Sequence, residues 1–192
     1  GLSAGTPVGA GGGDFAAQAV GSGILEEGKV SVPLGTSGVV FAQSDEYRVE
    51  PNGNLHSFCH AVPGKWHLMG VMLSAAGSFQ WYKNQFGLEE QKIENEGGVN
   101  AYETLTKQAE QVKAGSEGLF FLPYLSGERT PHPDPYARAC FIGMSLRHQK
   151  QHHTRAVLEG VSYGLNDSLS LMRKLGVNQS EIILSGGGWR SG

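Results

Sequence analysis

The stretch KVSVPLGTSGVVFAQ, residues 29–43, is the most informative part of the sequence about the fold. Its apolar residues alternate on both sides of a central Gly-Thr-Ser-Gly, a pattern typical of two strands joined by a tight turn. The stretch LHSFCHAVPGKWHLMGVML, residues 55–73, has the same form, and its Pro63-Gly64 pair suits a type II turn. We therefore predict two consecutive β-hairpins in the first half of the chain.

Helices are predicted after these hairpins and before them. A short helix begins near Asp14, and residues 74–86 and 101–115 form two more, each closed by a glycine. The polar segment EEQKIENEGGVN, residues 89–100, is predicted to be a loop. The longest helix runs from about Lys150 to Leu175, and its apolar side chains recur at helical spacing. We expect the following residues to form its buried stripe: Val157, Leu158, Val161, Leu165, Leu169 and Met172.

Three further strands are predicted in the second half of the chain. The segments are GLFFLPYL (118–125), which we expect to be buried, ACFIGMSL (139–146) and SEIILS (180–185). The segment SGERTPHPDPYAR (126–138) contains three prolines and is predicted to be irregular. Hairpins combined with long helices and further strands indicate an α/β fold with a mixed sheet and flanking helices.

Composition narrows the class of function. The 192 residues suffice for one domain or part of a larger protein, and the 39% apolar and 17% charged shares are those of a globular chain. The net charge is −3 and the basic residues are scattered, which argues against nucleic-acid and membrane partners. The two cysteines lie far apart, and neither a signal peptide nor a membrane span is visible. These features favour a cytoplasmic location.

Three glycine motifs are candidates for chemistry: GGGD (11–14), LGTSG (34–38) and SGGGWRS (185–191). The N–H groups and hydroxyls of the second motif suit phosphate oxygens, and the third lets backbone approach a ligand closely. Asp14 has two interpretations, a helix cap or a base that takes a proton from an attacking hydroxyl. The residues alone do not decide between these two interpretations of Asp14.

Two other clusters are given structural interpretations. His56, Cys59 and His60, and the pair His152 and His153, lack the partners that complete a zinc site, so we predict no metal. The loop with Glu128, Arg129 and Asp134 is either a solvated loop held by internal ion pairs or a substrate contact. We leave that loop out of the catalytic set.

In order and context, these motifs resemble the C-terminal domain of the FGGY carbohydrate kinases. The stretches that match are AGGGD (10–14), LGTSGVVFA (34–42), FLPYLSGERTPH (121–132), RAVLEGVSYGL (155–165) and LSGGGWRS (184–191). The resemblance implies an actin-like, ribonuclease-H-like ATPase domain, one of two that close around a cleft. On this interpretation residues 1–192 are the C-terminal nucleotide-binding domain, truncated at both ends, and the N-terminal sugar-binding domain is absent.

The resemblance also implies the site residues. Asp14 matches the catalytic base and a sugar contact. The matches to the phosphate loop are Gly35, Thr36 and Ser37, and the matches to the adenosine motif are Gly186, Gly187 and Gly188. The implied cofactors are ATP and Mg²⁺, with no metal ligand among the matched residues.

The implied reaction is the ATP-dependent phosphorylation of a sugar hydroxyl, with D-xylulose converted to D-xylulose 5-phosphate. Alternatives are another sugar or polyol (glycerol, ribulose or a deoxysugar) and an actin-like ATPase that uses no sugar. The implied partners are the sugar, ATP and the chain's own N-terminal domain, and a homodimer is compatible with the family. This chain by itself is expected to be inactive.

Two positions keep open interpretations. Phe15 stands where family members carry Asn or Gln, an amide that helps to hold the sugar. Either another group holds the sugar, the substrate differs, or Phe15 packs into the core. Trp189 either lies against adenine or packs the glycine turn.

Overall fold

A five-stranded mixed sheet forms the centre of the computed structural model, which describes residues 1–9 and 11–188. The strands of the described residues are β1 (Lys29–Pro33), β2 (Gly38–Ser44), β3 (His56–Cys59), β4 (Trp66–Met72), β5 (Phe120–Leu122), β6 (Cys140–Ile142) and β7 (Glu181–Ser185). The helices are α1 (Asp14–Gly21), α2 (Ala76–Phe86), α3 (Leu88–Asn95), α4 (Ala101–Glu110) and α5 (Lys150–Lys174).

The strand order in the large sheet is β3-β4-β2-β1-β7. Strands β1 and β2 pair antiparallel, and so do β3 and β4, which confirms both predicted hairpins. The turn of the second hairpin contains Gly64 at a φ of +74°, a backbone conformation that suits glycine. Strand β7 joins β1 in parallel, so the end of β7 lies beside the end of β1.

Four of the five helices confirm predictions, but the expected loop at residues 89–100 is wrong over most of its length. Residues Leu88–Asn95 form α3, which begins directly after the glycine that ends α2. Glu89 and Glu90 stand in its first turn, where negative charge stabilises a helix. The Lys150 Nζ of α5 lies 2.5 Å from the Glu90 carboxylate. A contact with a residue sixty positions away thus stabilises a segment whose composition indicates a loop.

Small side chains form the packed face of α5. The buried residues of this face include Thr154, Gly160, Gly164 and Ser168. A Cβ atom on Gly160 would overlap the backbone oxygen of Phe121 in β5, so this face must lie very close to its neighbours. The predicted stripe is therefore only partly right: Val157 and Met172 are buried, whereas Leu158, Val161, Leu165 and Leu169 are half-buried.

The core consists of three clusters. One lies between the sheet and α5 and includes Val30, Val40 and Met172. The second joins α2, α4, β5 and α5. The third covers the opposite face of the sheet, where Ala19 of α1 packs with Val39 and Phe41 of β2. Helices thus flank both faces of the sheet.

Strands β5 and β6 pair antiparallel in a separate two-stranded sheet. Phe121 is buried but Phe120 is 48% exposed, so the predicted buried strand is buried on one face only. The proline-rich segment that follows β5 is irregular, as predicted, and its Thr130–Pro131 peptide bond is cis. None of the helices within the described residues combines the length and the apolar character that crossing a bilayer requires.

Candidate functional site

The turn between β1 and β2, residues Gly35–Ser37, lies directly on the start of α2. We call it the Thr36 turn. The Thr36 carbonyl accepts hydrogen bonds from the N–H groups of Ala75 (2.9 Å) and Gly77 (3.1 Å), and the Gly35 carbonyl accepts one from Ala76 (3.1 Å). The carbonyls of the turn therefore satisfy N–H groups that a helix start leaves free.

The same arrangement leaves donors of the turn available. Gly35, Thr36 and Ser37 are exposed, and the N–H groups of Thr36 and Ser37 have no acceptor among residues 1–9 and 11–188. Exposed backbone donors next to a helix start form a favourable position for an anionic group.

A glycine within α2 permits this close approach. A Cβ atom on Gly77 would lie 2.8 Å from the Thr36 carbonyl oxygen and 2.9 Å from Thr36 Cγ2. Any side chain at this position would push the turn away from the helix. The sequence pattern does not single out Gly77, because it lies inside an otherwise ordinary helical segment.

The third glycine motif meets the Thr36 turn because β7 runs parallel to β1. Leu34 N–H donates to the Ser185 carbonyl (2.8 Å), and Gly188 N–H donates to the Leu34 carbonyl (2.9 Å). Gly186 has a φ of +88° and lies against Leu34, where a Cβ atom would overlap the backbone oxygen. A Cβ atom on Gly187 would have no atom of the described residues within 4 Å. Two of the three predicted motifs are thus neighbours, although about 150 residues separate them.

A cavity of about 570 Å³ lies between these glycines and the helices α2, α4 and α5. Its volume is in the range of small-molecule sites. Gly35, Thr36, Gly187 and Gly188 line one part of it. The apolar wall is formed by Leu34, Phe79, Leu158, Val161 and Leu165. Because the wall is apolar and one end offers backbone donors, the cavity suits a molecule with a flat apolar part and an anionic part.

Four polar side chains also line the cavity: Gln80, Asn100, Tyr102 and Ser162. The Asn100 side chain caps α4, since its Oδ1 accepts from Tyr102 N–H (2.9 Å) and its Nδ2 donates to Glu94 (2.6 Å). Gln80 is exposed, and its amide has no hydrogen-bond partner among the described residues. The Gln80 amide can therefore form hydrogen bonds with a polar group of a bound molecule.

The sequence pattern misses most of this lining. Leu158, Val161 and Leu165 recur at helical spacing, and the same spacing describes a core stripe. Their half-exposed state distinguishes a cavity wall from a core, and only the packing of α5 reveals it. The residues of the predicted stripe that are only half-buried include those that form the apolar wall of the cavity.

Asp14 lies apart from this lining. It is the exposed first residue of α1, and Gly13 occupies the N-cap position, so the interpretation of Asp14 as the N-cap residue is wrong. The Asp14 carboxylate accepts a hydrogen bond from Phe15 N–H (2.9 Å). One turn further along α1, Gln18 donates to the Ser185 hydroxyl (2.9 Å), directly before the triple glycine. Helix α1 is therefore tied to the strand that carries the third motif.

Phe15 packs on the sheet. Its side chain is half-buried and contacts the cluster that contains Ala19, Val39 and Phe41. Of the three interpretations of this residue, packing into the core is the one that the structure supports. Trp189, Arg190 and Ser191 of the third motif lie outside the described residues.

The histidines have packing and capping roles. The His67 ring stacks on Phe41 with centroids 4.2 Å apart, and burial lowers its pKa to about 4, with His60 adding to the effect. Burial lowers the pKa of His60 as well. His152 Nδ1 accepts from Gln149 N–H (3.0 Å) at the start of α5. No three His, Cys, Asp or Glu side chains of the described residues are grouped to hold a metal ion.

The loop of residues 126–134 contains no ion pair of the expected kind. Within the part of the chain that the structure describes, Glu128, Arg129 and Asp134 form no salt bridge with one another. Glu128 is buried instead, and only backbone groups join it to Asp134, with N–O distances of 2.9 and 3.1 Å. The expected internal ion pairs are therefore wrong, and so is the expected exposure of Glu128, whereas Arg129 and Asp134 are exposed as predicted.

Comparisons with known proteins agree on one family. The model of the C-terminal domain of the FGGY family of carbohydrate kinases matches residues 30–192. A xylulose kinase of Escherichia coli (strain K12) is 45% identical over 185 residues, which are 96% of this chain and 36% of that protein. A gluconokinase of Bacillus subtilis (strain 168) is 34% identical over 86% of this chain and 32% of its own length. The crystal structure of a xylulose kinase from Rhodospirillum rubrum matches with a TM-score of 0.87 and 30% identity, over 99% of this chain and 36% of that one.

Proposed function

The chain belongs to the FGGY family of carbohydrate kinases, and from that premise we propose that residues 1–192 are the C-terminal nucleotide-binding domain of an ATP-dependent sugar kinase. The observation that carries the proposal is the cavity in which the Thr36 turn and the triple glycine meet. We propose D-xylulose as the substrate, because the Escherichia coli relative at 45% identity is a xylulose kinase.

In this proposal the cavity holds ATP. The apolar wall formed by Phe79, Leu158 and Leu165 covers the base, and the Gln80 amide binds its polar edge. The free N–H groups of Thr36 and Ser37 bind the terminal phosphates. Mg²⁺ accompanies ATP as its usual counter-ion in phosphoryl transfer. The lining residues within 1–9 and 11–188 include no carboxylate, so none of these residues offers the ion a carboxylate ligand inside the cavity.

Asp14 is the catalytic base of the proposal. Its carboxylate takes the proton of the sugar hydroxyl while that oxygen forms a bond with the γ-phosphorus and the bond to the ADP oxygen breaks. The exposure of Asp14 leaves the side chain accessible to a substrate. Phe15 contributes through packing, because its ring lies on the sheet and its N–H binds Asp14.

The chain spans 36% of the length of the Escherichia coli relative, so most of that relative lies outside the matched region. We propose that the remaining part supplies an N-terminal domain with most of the sugar contacts, and that this chain alone transfers no phosphate. An assay of phosphosugar formation by the isolated chain with ATP–Mg²⁺ and D-xylulose tests the second point. A rate comparable with that of the full-length protein would contradict it.

The function is tested on the full-length protein that contains this chain. ADP release and phosphosugar formation are measured with D-xylulose, ribulose, gluconate, glycerol and a deoxysugar, each in the presence of ATP–Mg²⁺. We expect the highest kcat/KM with D-xylulose. A higher kcat/KM with another sugar would contradict D-xylulose as the substrate but would still support a sugar kinase. ATP hydrolysis without any phosphosugar would contradict the kinase proposal and favour an actin-like ATPase that uses no sugar.

A further inference from the structure

The loop of residues 126–134 takes the place of a strand beside β4. Strand β3 pairs with β4 only as far as Met69. Beyond that point, Val71 N–H donates to Thr130 Oγ1 (3.1 Å), and Thr130 N–H donates to the Val71 carbonyl (3.0 Å). Leu73 N–H donates to Glu128 Oε1 (3.0 Å). Side chains of the loop therefore satisfy the edge of β4 that no neighbouring strand covers.

Glu128 is an unusual residue for such a contact. Its side chain is buried, with only 4% of the residue exposed, and burial raises its pKa. The Oε1 atom accepts a second hydrogen bond from Arg129 N–H (2.7 Å), while Oε2 has no partner among the described residues. A buried carboxyl group without a counter-charge is unfavourable, so its presence calls for a reason beyond solubility or ion pairing.

The residues that follow Leu73 connect Glu128 to the nucleotide cavity. Ser74 contacts Ser126 of the loop through the two hydroxyl oxygens (2.9 Å). Ala75 comes next, and its N–H binds the Thr36 carbonyl. The segment of residues 73–75 is thus held by the loop at one end and holds the Thr36 turn at the other. Only one residue, Ser74, lies between Leu73, whose N–H binds Glu128, and Ala75, whose N–H binds the Thr36 carbonyl.

We propose that Glu128 is a positioning residue for the phosphates of the nucleotide. It fixes the end of β4, and through residues 73–75 it fixes the Thr36 turn and the direction of its free N–H groups. The proposal rests on the proposed binding of ATP at this turn. A displacement of about 1 Å in such a contact changes rates by roughly 100-fold, so a modest relaxation of β4 has a measurable effect.

The test uses the full-length protein and compares Glu128→Ala with Glu128→Gln. The alanine variant removes the acceptor for Leu73 N–H, and we expect it to raise the KM for ATP by about 10-fold or more, with little change in the KM for the sugar. The glutamine variant keeps an oxygen acceptor, and we expect it to restore the KM for ATP to within roughly 3-fold of wild type. A general loss of stability would not produce this difference between the two substrates.

Glu27→Ala is the matched control. The Glu27 carboxylate accepts the N–H of Asp45 (3.0 Å) at the other end of the β1–β2 hairpin. Glu27 also pairs with Arg48 (2.9 Å). It therefore binds a backbone N–H as Glu128 does, but far from the Thr36 turn, and its loss should lower Tm without raising the KM for ATP. An equal rise in both alanine variants would overturn the proposal, since the effect would then come from destabilisation.

A second variant keeps the test decisive if Glu128→Ala does not fold. Ser126→Ala removes the hydroxyl contact with Ser74 at an exposed position, and we expect a smaller rise in the KM for ATP. Unchanged KM values in all folded variants would overturn the role of Glu128 and leave the kinase intact. If the wild-type protein showed no ATP-dependent activity and bound no nucleotide, both the function and this inference would fall.

Discussion

The Asp14 side chain is exposed and, within the described part of the chain, makes a single hydrogen bond, to Phe15 N–H. Its replacement therefore separates chemistry from folding. We expect Asp14→Asn to lower kcat by about 10²–10⁴-fold, because positioned base catalysis contributes rate factors of this size. The free energy of unfolding should change by less than about 0.5 kcal/mol, as for other exposed sites. ADP-release assays and thermal denaturation of the full-length protein measure both quantities.

Glu26→Gln is a suitable control for that substitution. Glu26 is also an exposed carboxylate, paired with Lys29 at the surface. Its variant should keep the wild-type kcat. A kcat for Asp14→Asn within twofold of wild type would remove Asp14 from the chemistry and leave it as a residue of the first helical turn.

The sequence predicts residue roles unevenly. The Thr36 turn and the triple glycine are recognisable because glycine and hydroxyl residues mark a backbone that faces a ligand. The direction of Phe15 is not predictable, since one apolar residue at a helix start has no periodicity to orient it. The burial of Glu128 is also not predictable, because a charged residue in a proline-rich loop is normally solvated.

At the scale of elements, the packed face of α5 gives the clearest stability prediction. Gly160→Ala gains about 1 kcal/mol of intrinsic helix propensity. The added methyl group would, however, overlap the Phe121 carbonyl oxygen, which is backbone and cannot rotate away. Overpacking of this kind destabilises by about 1–3 kcal/mol. We therefore expect a net decrease in unfolding free energy, measured by chemical denaturation.

The matched control on the same helix is Asp167→Ala. Asp167 is exposed, so the new alanine meets no neighbour and the helix propensity acts alone. This variant should be as stable as wild type or slightly more stable. A Gly160→Ala protein with wild-type stability would mean that α5 shifts away from β5 at no cost.

The elements themselves differ in how well the sequence predicts them. Alternating apolar residues around a short turn are sufficient for the two hairpins, since partner strands are adjacent in the chain. Helix α3 is missed because the Glu90–Lys150 contact is non-local. The pairing of β7 with β1 is equally hard to predict, because Val32 and its partner in β7, Leu184, are 152 positions apart in the chain. No local pattern indicates such a contact.

For the molecule as a whole, the mixed sheet with helices on both faces and the likeness to a solved xylulose kinase confirm the actin-like ATPase fold.

The stability of the protein should depend on pH through buried titratable groups whose effects on the free energy of unfolding have opposite signs. The pKa of His67 is lowered to about 4, so the unfolded chain takes up a proton between pH 6.5 and 4 and the folded chain does not. Stability from His67 is therefore complete above pH 6.5 and is lost as the pH falls towards 4.

The size of this effect follows from the difference between pKa values of 6.5 and about 4, which corresponds to roughly 3 kcal/mol. Glu128 acts in the opposite direction. Its raised pKa means that the folded chain keeps a proton that the unfolded chain loses, so its contribution is present below pH 4.5 and is lost as the pH rises. His67 and His60 act together, and we expect stability to fall on acidification.

Urea unfolding between pH 4 and pH 7.5 checks this balance. His67→Leu should flatten the dependence of unfolding free energy on pH, and Glu128→Gln should steepen it, because it removes the opposing group. Parallel curves for wild type and His67→Leu would show that His67 is not the group that titrates. Parallel curves for Glu128→Gln would show the same for Glu128.

The hydrogen bonds between the Thr36 turn and the start of α2 have a consequence for chimaeric proteins. The turn and the helix start satisfy each other's backbone groups, so residues 34–38 and 73–77 form one unit built from two separate segments. In a chimaera in which only residues 34–38 come from a relative, the turn and the helix start come from different parents and their backbone groups need not match in position. Crossover points for recombination should therefore be chosen so that both segments come from the same parent.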